Sequence, residues 1–254
     1  MISLSVVMPV LNGEKTISRA LASVEKQSIP IQQLIVVDDG SSDNTGGLVD
    51  SWATRLPVRR LRNERNIGIA RSLRCGVEAA VGHWVCRLDA DDAWHPDHVE
   101  RLIRAVEGSP DAVLAASSAR MVTESGESIG QLIAPPDSRV RAALMWDNPL
   151  VHSAVAYSKA AYEAVGGYAP DQKWEDYDLW IRLLGIGRLA SVGTPTIDYT
   201  VASHSLSRGK RSQALRARWA CQRKAIRAFG TRHPAAALRC AVLGGLRMAL
   251  PQRG

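Results

Sequence analysis

Two aspartates spaced two apart, Asp89 and Asp91, close an apolar run from Trp84 to Leu88. In extended backbone such residues face the same side, so both carboxylates can meet one ligand, and Ala90 between them adds no bulk. Oxygen ligands at a buried strand end suit Mg²⁺ or Mn²⁺, which keep waters and complete their shell with substrate phosphates. The plainer reading is a strand end whose last acid caps a helix opened by Trp94 and Pro96. A second acid pair, Glu175-Asp176, also has two readings: complement to a helix dipole, or a general base aimed into a cleft. Asp39, within Asp38-Asp-Gly-Ser-Ser-Asp43, is either a turn former or an acceptor for a nucleobase N–H. His152 and His204 read as loop histidines, unless a metal–diphosphate site beside them makes either a ligand or a phosphate donor.

The elements that must carry these residues alternate. Leu4 to Pro9 and Leu34 to Val37 are continuous apolar runs, as in parallel strands covered on both faces. Between them a helix shows Ile17, Leu21 and Val24 on one stripe. Helix 44–55, a strand near 57–61 and a helix from about 68 to 81 lead to the strand before Asp89. Helix 96–107, a strand near 112–117, a helix from Trp174 to Leu184 and a strand near 195–200 follow. This is a doubly wound α/β pattern, in which ligands bind at the carboxyl ends of the strands. The loops at 9–14, 38–43 and 89–92 all sit at such ends.

The 254 residues are 46% hydrophobic and 22% charged, an ordinary globular profile with no membrane-length apolar run. The stretch from Met1 to Leu11 lacks a basic leader and reads as a strand rather than a signal peptide. Four cysteines without a CxxC pair read as reduced, buried thiols of a cytoplasmic protein. The net charge of +7 is uneven: no acid follows Asp198, so the tail carries +12 and the rest −5. The tail therefore points to an anionic partner, with contact to the inner face of the cell membrane favoured over nucleic acid. Neither a GxGxxG nor a GxxxxGK[ST] loop is present.

In order, Ser5-Val-Val-Met-Pro-Val-Leu-Asn12, Val37-Asp-Asp-Gly-Ser-Ser-Asp-Asn-Thr45, Asn66-Ile-Gly68 with Gly76 and Ala80-Val-Gly82, and Arg87-Leu-Asp-Ala-Asp-Asp92 resemble the family 2 glycosyltransferases of bacteria. Asn148-Pro149 with His152, Gly166-Gly-Tyr168, Glu175-Asp-Tyr-Asp-Leu-Trp180 and Tyr199 with His204 continue the resemblance to about residue 208. It implies a GT-A fold over 1–207, a Rossmann-like, mostly parallel central sheet flanked by helices, with a basic helical extension over 208–254. It also implies transfer of one sugar, with inversion, from a nucleotide-sugar to an acceptor hydroxyl. The acceptor class implied is a glycan or lipid-linked saccharide of the cell envelope, capsule or O-antigen type.

By position, the resemblance places Pro9, Val10, Asn12, Asp39, Asn66, Gly68, Asp89 and Ala90 at the donor. It makes Asp91, Asp89 and His204 metal ligands for Mn²⁺ or Mg²⁺, and Asp176 the base. Glu175, His152 and Trp180 fall on the acceptor side. Uridine is the first choice of base. Leu73-Arg74 departs from the Leu-Asn of many relatives, and the QxxRW element of processive synthases is missing. A catalytically inactive nucleotide-sugar-binding scaffold and a sugar nucleotidyltransferase are the competing readings. In the tail, Leu215, Trp219, Ile226 and Phe229 are expected along one side of a helix over 212–229, with a second helix from Pro234 whose stripe is Leu238, Val242 and Leu246.

Overall fold

The computed structural model describes residues 2–170, 172–201, 211–238 and 240. Its first half runs β1 (Leu4–Val10), α1 (Ile17–Glu25), β2 (Gln33–Asp38), α2 (Thr45–Ser51), β3 (Val58–Arg62), α3 (Ile69–Ala79) and β4 (Trp84–Arg87). The second half runs β5 (Ala93–Trp94), α4 (His98–Glu107), β6 (Ala112–Val122), β7 (Ser128–Leu132), α5 (Asp137–Leu144), β8 (Val155–Ser158), α6 (Lys159–Ala164), α7 (Glu175–Ile186), β9 (Arg188–Thr200) and α8 (Arg211–Phe229).

One sheet takes the strand order β3-β2-β1-β4-β8-β6-β9-β5, with β7 added beside β6. The pairs β3–β2, β2–β1 and β1–β4 are parallel, as is the long β6–β9 pair; β8 enters antiparallel between β4 and β6. The doubly wound pattern is therefore present, and its parallel half carries the loops that matter. Alternation along β1 and β2 divides the core. Val6, Met8, Leu34 and Val36 pack on the α1 side with Ile17, Leu21 and Val24, while Val7, Ile35 and Val37 pack on the α3 side with Leu73 and Val77.

The second half is more structured than its sequence shows: β5, β7, α5, β8 and α6 fill stretches with no apolar period of their own. The strand expected near 112–117 continues to Val122, and the one near 195–200 begins at Arg188, because each pairs with the other along its whole length.

In the tail, α8 docks on α7 and α5 through Cys221, Ala225 and Phe229, all buried, with Ile226 partly so. The expected stripe is thus corrected at Leu215 and Trp219, which are only half-buried. Small Cys221 and Ala225 let the helix approach closely, which side-chain size alone does not reveal. Arg218 pairs with Asp147 at 2.6 Å, and Lys224 joins Arg182 on the buried Asp178. The second tail helix does begin at Pro234, and its Cys240 reaches the same core. Its expected stripe is corrected at Leu238, which is exposed, while Val242 and Leu246 lie outside the described residues.

Candidate active site

Three loops interlock at the ends of β1, β2 and β3. The Asn12 side-chain oxygen accepts from the Ser42 N–H at 2.9 Å, and the Asn12 N–H donates to the Ser41 hydroxyl at 2.9 Å. One residue on, the Gly13 N–H donates to the buried Thr45 hydroxyl at 2.8 Å. Pro9 and Val10 lie buried in β1, in register with Val37 and Asp38.

Asp39, also buried, accepts from the Asn63 amide at 2.8 Å and from the backbone N–H groups of Ile67 at 2.9 Å and Gly68 at 3.0 Å. Asn66 is exposed and its side-chain oxygen caps the same Gly68 N–H. Gly40, at φ +80°, makes this closure possible: a Cβ there would stand 2.7 Å from the Arg65 backbone. Three donors leave the Asp39 carboxylate room for one more, so its geometry is compatible with a base N–H while its present work is to hold the 63–68 loop.

The carboxylates cluster where β4 ends. Arg87 is fully buried and donates to the Asp89 carboxylate at 2.5 Å and to the Leu88 carbonyl at 2.6 Å. Ser153 accepts from the Asp89 N–H at 3.0 Å and shares its own proton between Asp89 and Asp92. Asp92 is buried and accepts from the Thr200 N–H at 2.8 Å, tying β9 to this loop. The expectation that the last acid caps a helix is therefore corrected: Asp92 braces β9 and Ser153. Arg19, from α1, donates to the Asp91 carbonyl and to the Thr200 hydroxyl.

Burial would raise Asp89, but the Arg87 guanidinium and the Ser153 hydroxyl outweigh it and hold the carboxyl below its ordinary value. Asp89 then acts on its neighbours. Burial and the Asp89 charge raise Asp91, and they raise Asp92 further with Asp91 adding to the repulsion.

Asp176 opens α7. Its carboxylate accepts from the Asn148 amide at 2.7 Å and from the Tyr177 N–H at 2.7 Å. Burial pushes it up to about 6 against those donors, with Asp89 contributing. Burial and Asp176 push Glu175 up to about 7. His152 donates to or accepts from the Tyr168 hydroxyl at 2.9 Å, and burial lowers its pKa to about 3, so it is neutral.

Trp180 packs edge-on to His152 at 5.7 Å and is fully buried, so its ring lacks the exposed face that its expected place on the acceptor side requires. Arg74 donates to the Tyr168 carbonyl at 3.1 Å, so the departure from the family pattern braces the turn at Gly166-Gly167. His204 lies outside the described residues.

The sequence reading did not single out Arg87, Ser153, Asn148 or Arg19 as site residues. Arg87 carried a usable signal, since it stands two before Asp89 on the same side of an extended strand. Asn148 stands in the sequence only as part of the Asn148-Pro149 motif. Ser153 and Arg19 reach the site from 64 and 72 positions away and carry none.

No group of three His, Cys, Asp or Glu among the described residues forms a ready metal cluster. The donor set fits a different kind of cation site. Asp91 with Asp89 offers hard oxygens in a crevice whose acids repel one another, as suits a divalent ion that draws its remaining ligands from water and phosphate.

A family model for glycosyl transferase family 2 matches residues 5–164. The amylovoran biosynthesis glycosyltransferase AmsE of Erwinia amylovora is 27% identical over 72% of this chain and 70% of its own length. The UDP-Gal:alpha-D-GlcNAc-diphosphoundecaprenol beta-1,3-galactosyltransferase of Escherichia coli is 25% identical over 67% of this chain and 63% of its own. The mannosyltransferase PcManGT of Pyrobaculum calidifontis, solved with GDP-Man and Mn²⁺, shares the fold at a TM-score of 0.64 and 19% identity, over 99% of this chain and 81% of that one. The fold is GT-A, and the chain belongs to glycosyltransferase family 2.

Proposed function

We propose that the chain moves one sugar, with inversion, from a nucleoside-diphosphate donor, UDP first, to a hydroxyl of a glycan or lipid-linked saccharide acceptor. The observation that carries this is Asp176, a carboxylate raised to about 6 and held by Asn148 and the Tyr177 N–H within the field of Asp89. Each oxygen of Asp176 spends one lone pair on these donors and keeps another for substrate. As the acceptor oxygen bonds to the anomeric carbon, Asp176 takes its proton and the nucleoside diphosphate leaves from the opposite face.

Asp91, with Asp89, would hold the Mn²⁺ or Mg²⁺; such an ion stabilises the charge gained by the departing diphosphate. The interlocked loops of Asn12, Asp39 and Asn66-Gly68 suit the nucleoside end. The names of the E. coli galactosyltransferase and of AmsE support a UDP-sugar, a lipid-linked acceptor and polysaccharide synthesis. Exchange of Asp176→Asn keeps the shape and one of the two accepting positions and removes the base. Transfer should fall by about 10²–10⁴ while UDP still shifts the melting temperature. Unchanged transfer would remove Asp176 from this role.

A further inference from the structure

The docked face of α8 leaves a second face without a partner. Arg216, Arg223 and Arg227 are exposed, and their spacing of seven and four residues keeps all three within an arc of about 40° around the helix. Cys221, Ala225 and Phe229, which bury α8 against α7, lie on the opposite side. Among the described residues none of the three arginines makes an ion pair, whereas Arg218 and Lys224, nearer the docked face, are each paired with an aspartate. No acidic residue follows Asp198 in the chain to neutralise them. The result is a straight row of guanidinium groups about 16 Å long, held on a helix whose other face is packed in the core.

We propose that this row is a docking surface for the anionic headgroups of a lipid bilayer. A row on one rigid helix matches a flat field of phosphates, and Trp219, half-buried beside it, has the amphipathic ring that settles at headgroup depth. A single-stranded nucleic acid would ask for several rings on which successive bases stack, and this face has one at its edge.

The placement also serves the reaction. Arg218 fixes α8 to Asp147, and the next residue, Asn148, holds Asp176. A bilayer resting on α8 is therefore tied, through Arg218, Asp147 and Asn148, to the segment that holds the base. That consequence rests on the proposed transfer to a lipid-linked acceptor; the docking itself does not.

The test is flotation of the full chain with vesicles of phosphatidylcholine, with and without added phosphatidylglycerol, which needs no turnover. Wild type should float only with the anionic vesicles and lose binding as salt rises. The combined exchange Arg216→Gln, Arg223→Gln and Arg227→Gln should lower partitioning about a hundredfold, at about fivefold for each basic residue. Its UDP-induced thermal shift should match wild type, since the three side chains are exposed and remote from the donor loops. Equal flotation of variant and wild type would overturn the proposal. So would equal binding to neutral vesicles, or binding to a single-stranded oligonucleotide with none to anionic vesicles.

Discussion

The loops after β1, β2 and β3 are closed by donors meeting acceptors, whereas the crevice between β4 and α7 gathers Asp89, Asp91, Asp92, Glu175 and Asp176 around one buried guanidinium. In the first region each carboxylate stabilises the fold. Asp39 joins Asn63, Ile67 and Gly68, and Asp38 accepts from the Ser41 N–H at 2.8 Å. In the second, the charge of Asp89 works against the ionisation of Asp91, Asp92, Glu175 and Asp176. One region is built complete and the other carries an excess of negative charge. Glycosyl transfer gives that difference a use: the nucleoside end of a donor needs a shaped surface, and the reacting end needs a base of near-neutral pKa.

Arg87 is where the crevice is easiest to break. It is fully buried, and it compensates the one carboxylate held below its ordinary value. Arg87→Met should cost about 3 kcal/mol, because it leaves Asp89 without its counter-charge and the Leu88 carbonyl without its side-chain donor. Chemical denaturation at neutral pH measures this. A loss below about 1 kcal/mol would mean that Asp89 turns to solvent and the crevice does not depend on the pair.

The matching change in the loops is smaller. Asp39→Ala leaves the Ile67 N–H and one Asn63 amide hydrogen without an acceptor and the Gly68 N–H to Asn66 alone, so a loss of about 1–3 kcal/mol is expected, together with weaker UDP binding. The same melting curves, with and without UDP, report both effects. Full stability with lost UDP binding would instead make Asp39 a ligand contact that does no structural work.

Which parts were visible beforehand follows from how local their causes are. The strands β1, β2 and β4 announce themselves because a strand covered on both faces needs an unbroken apolar run. Asp89 and Asp91 show because their spacing is itself the geometry. By contrast β8 is a short antiparallel insertion whose Val155 and Tyr157 are explained only by Val85, Leu114 and Ala116 on strands far away in the chain. Ser153 and Asn148 are ordinary polar residues until folding brings them to Asp89 and Asp176.

Trp180 misled for the opposite reason. It sits four residues after Asp176, on the same face of α7, but that face turns into the core one helical turn beyond the base. In α8 the large side chains pointed to one face, and the small Cys221 and Ala225 settled another.

The smallest predicted effect has the opposite sign and separates the two regions most clearly. Glu175 stands at about 7 in the fold against an ordinary value of 4.5, through burial and the neighbouring Asp176. A carboxyl raised in this way holds its proton more tightly folded than unfolded. Stability is therefore full below about pH 4.5 and falls as the pH rises towards 7. Glu175→Gln removes that penalty while keeping the shape. Because the side chain is only half-buried, the gain at pH 8 should be about 1 kcal/mol, a few degrees of melting temperature, and should vanish at pH 4. Removing a carboxylate from the Asp39 loop should thus destabilise the protein while removing one here stabilises it. Melting curves of wild type and Glu175→Gln across this range decide the matter. A variant less stable than wild type at pH 8 would show that Glu175 has a counter-charge, and that the crevice is as fully satisfied as the loops.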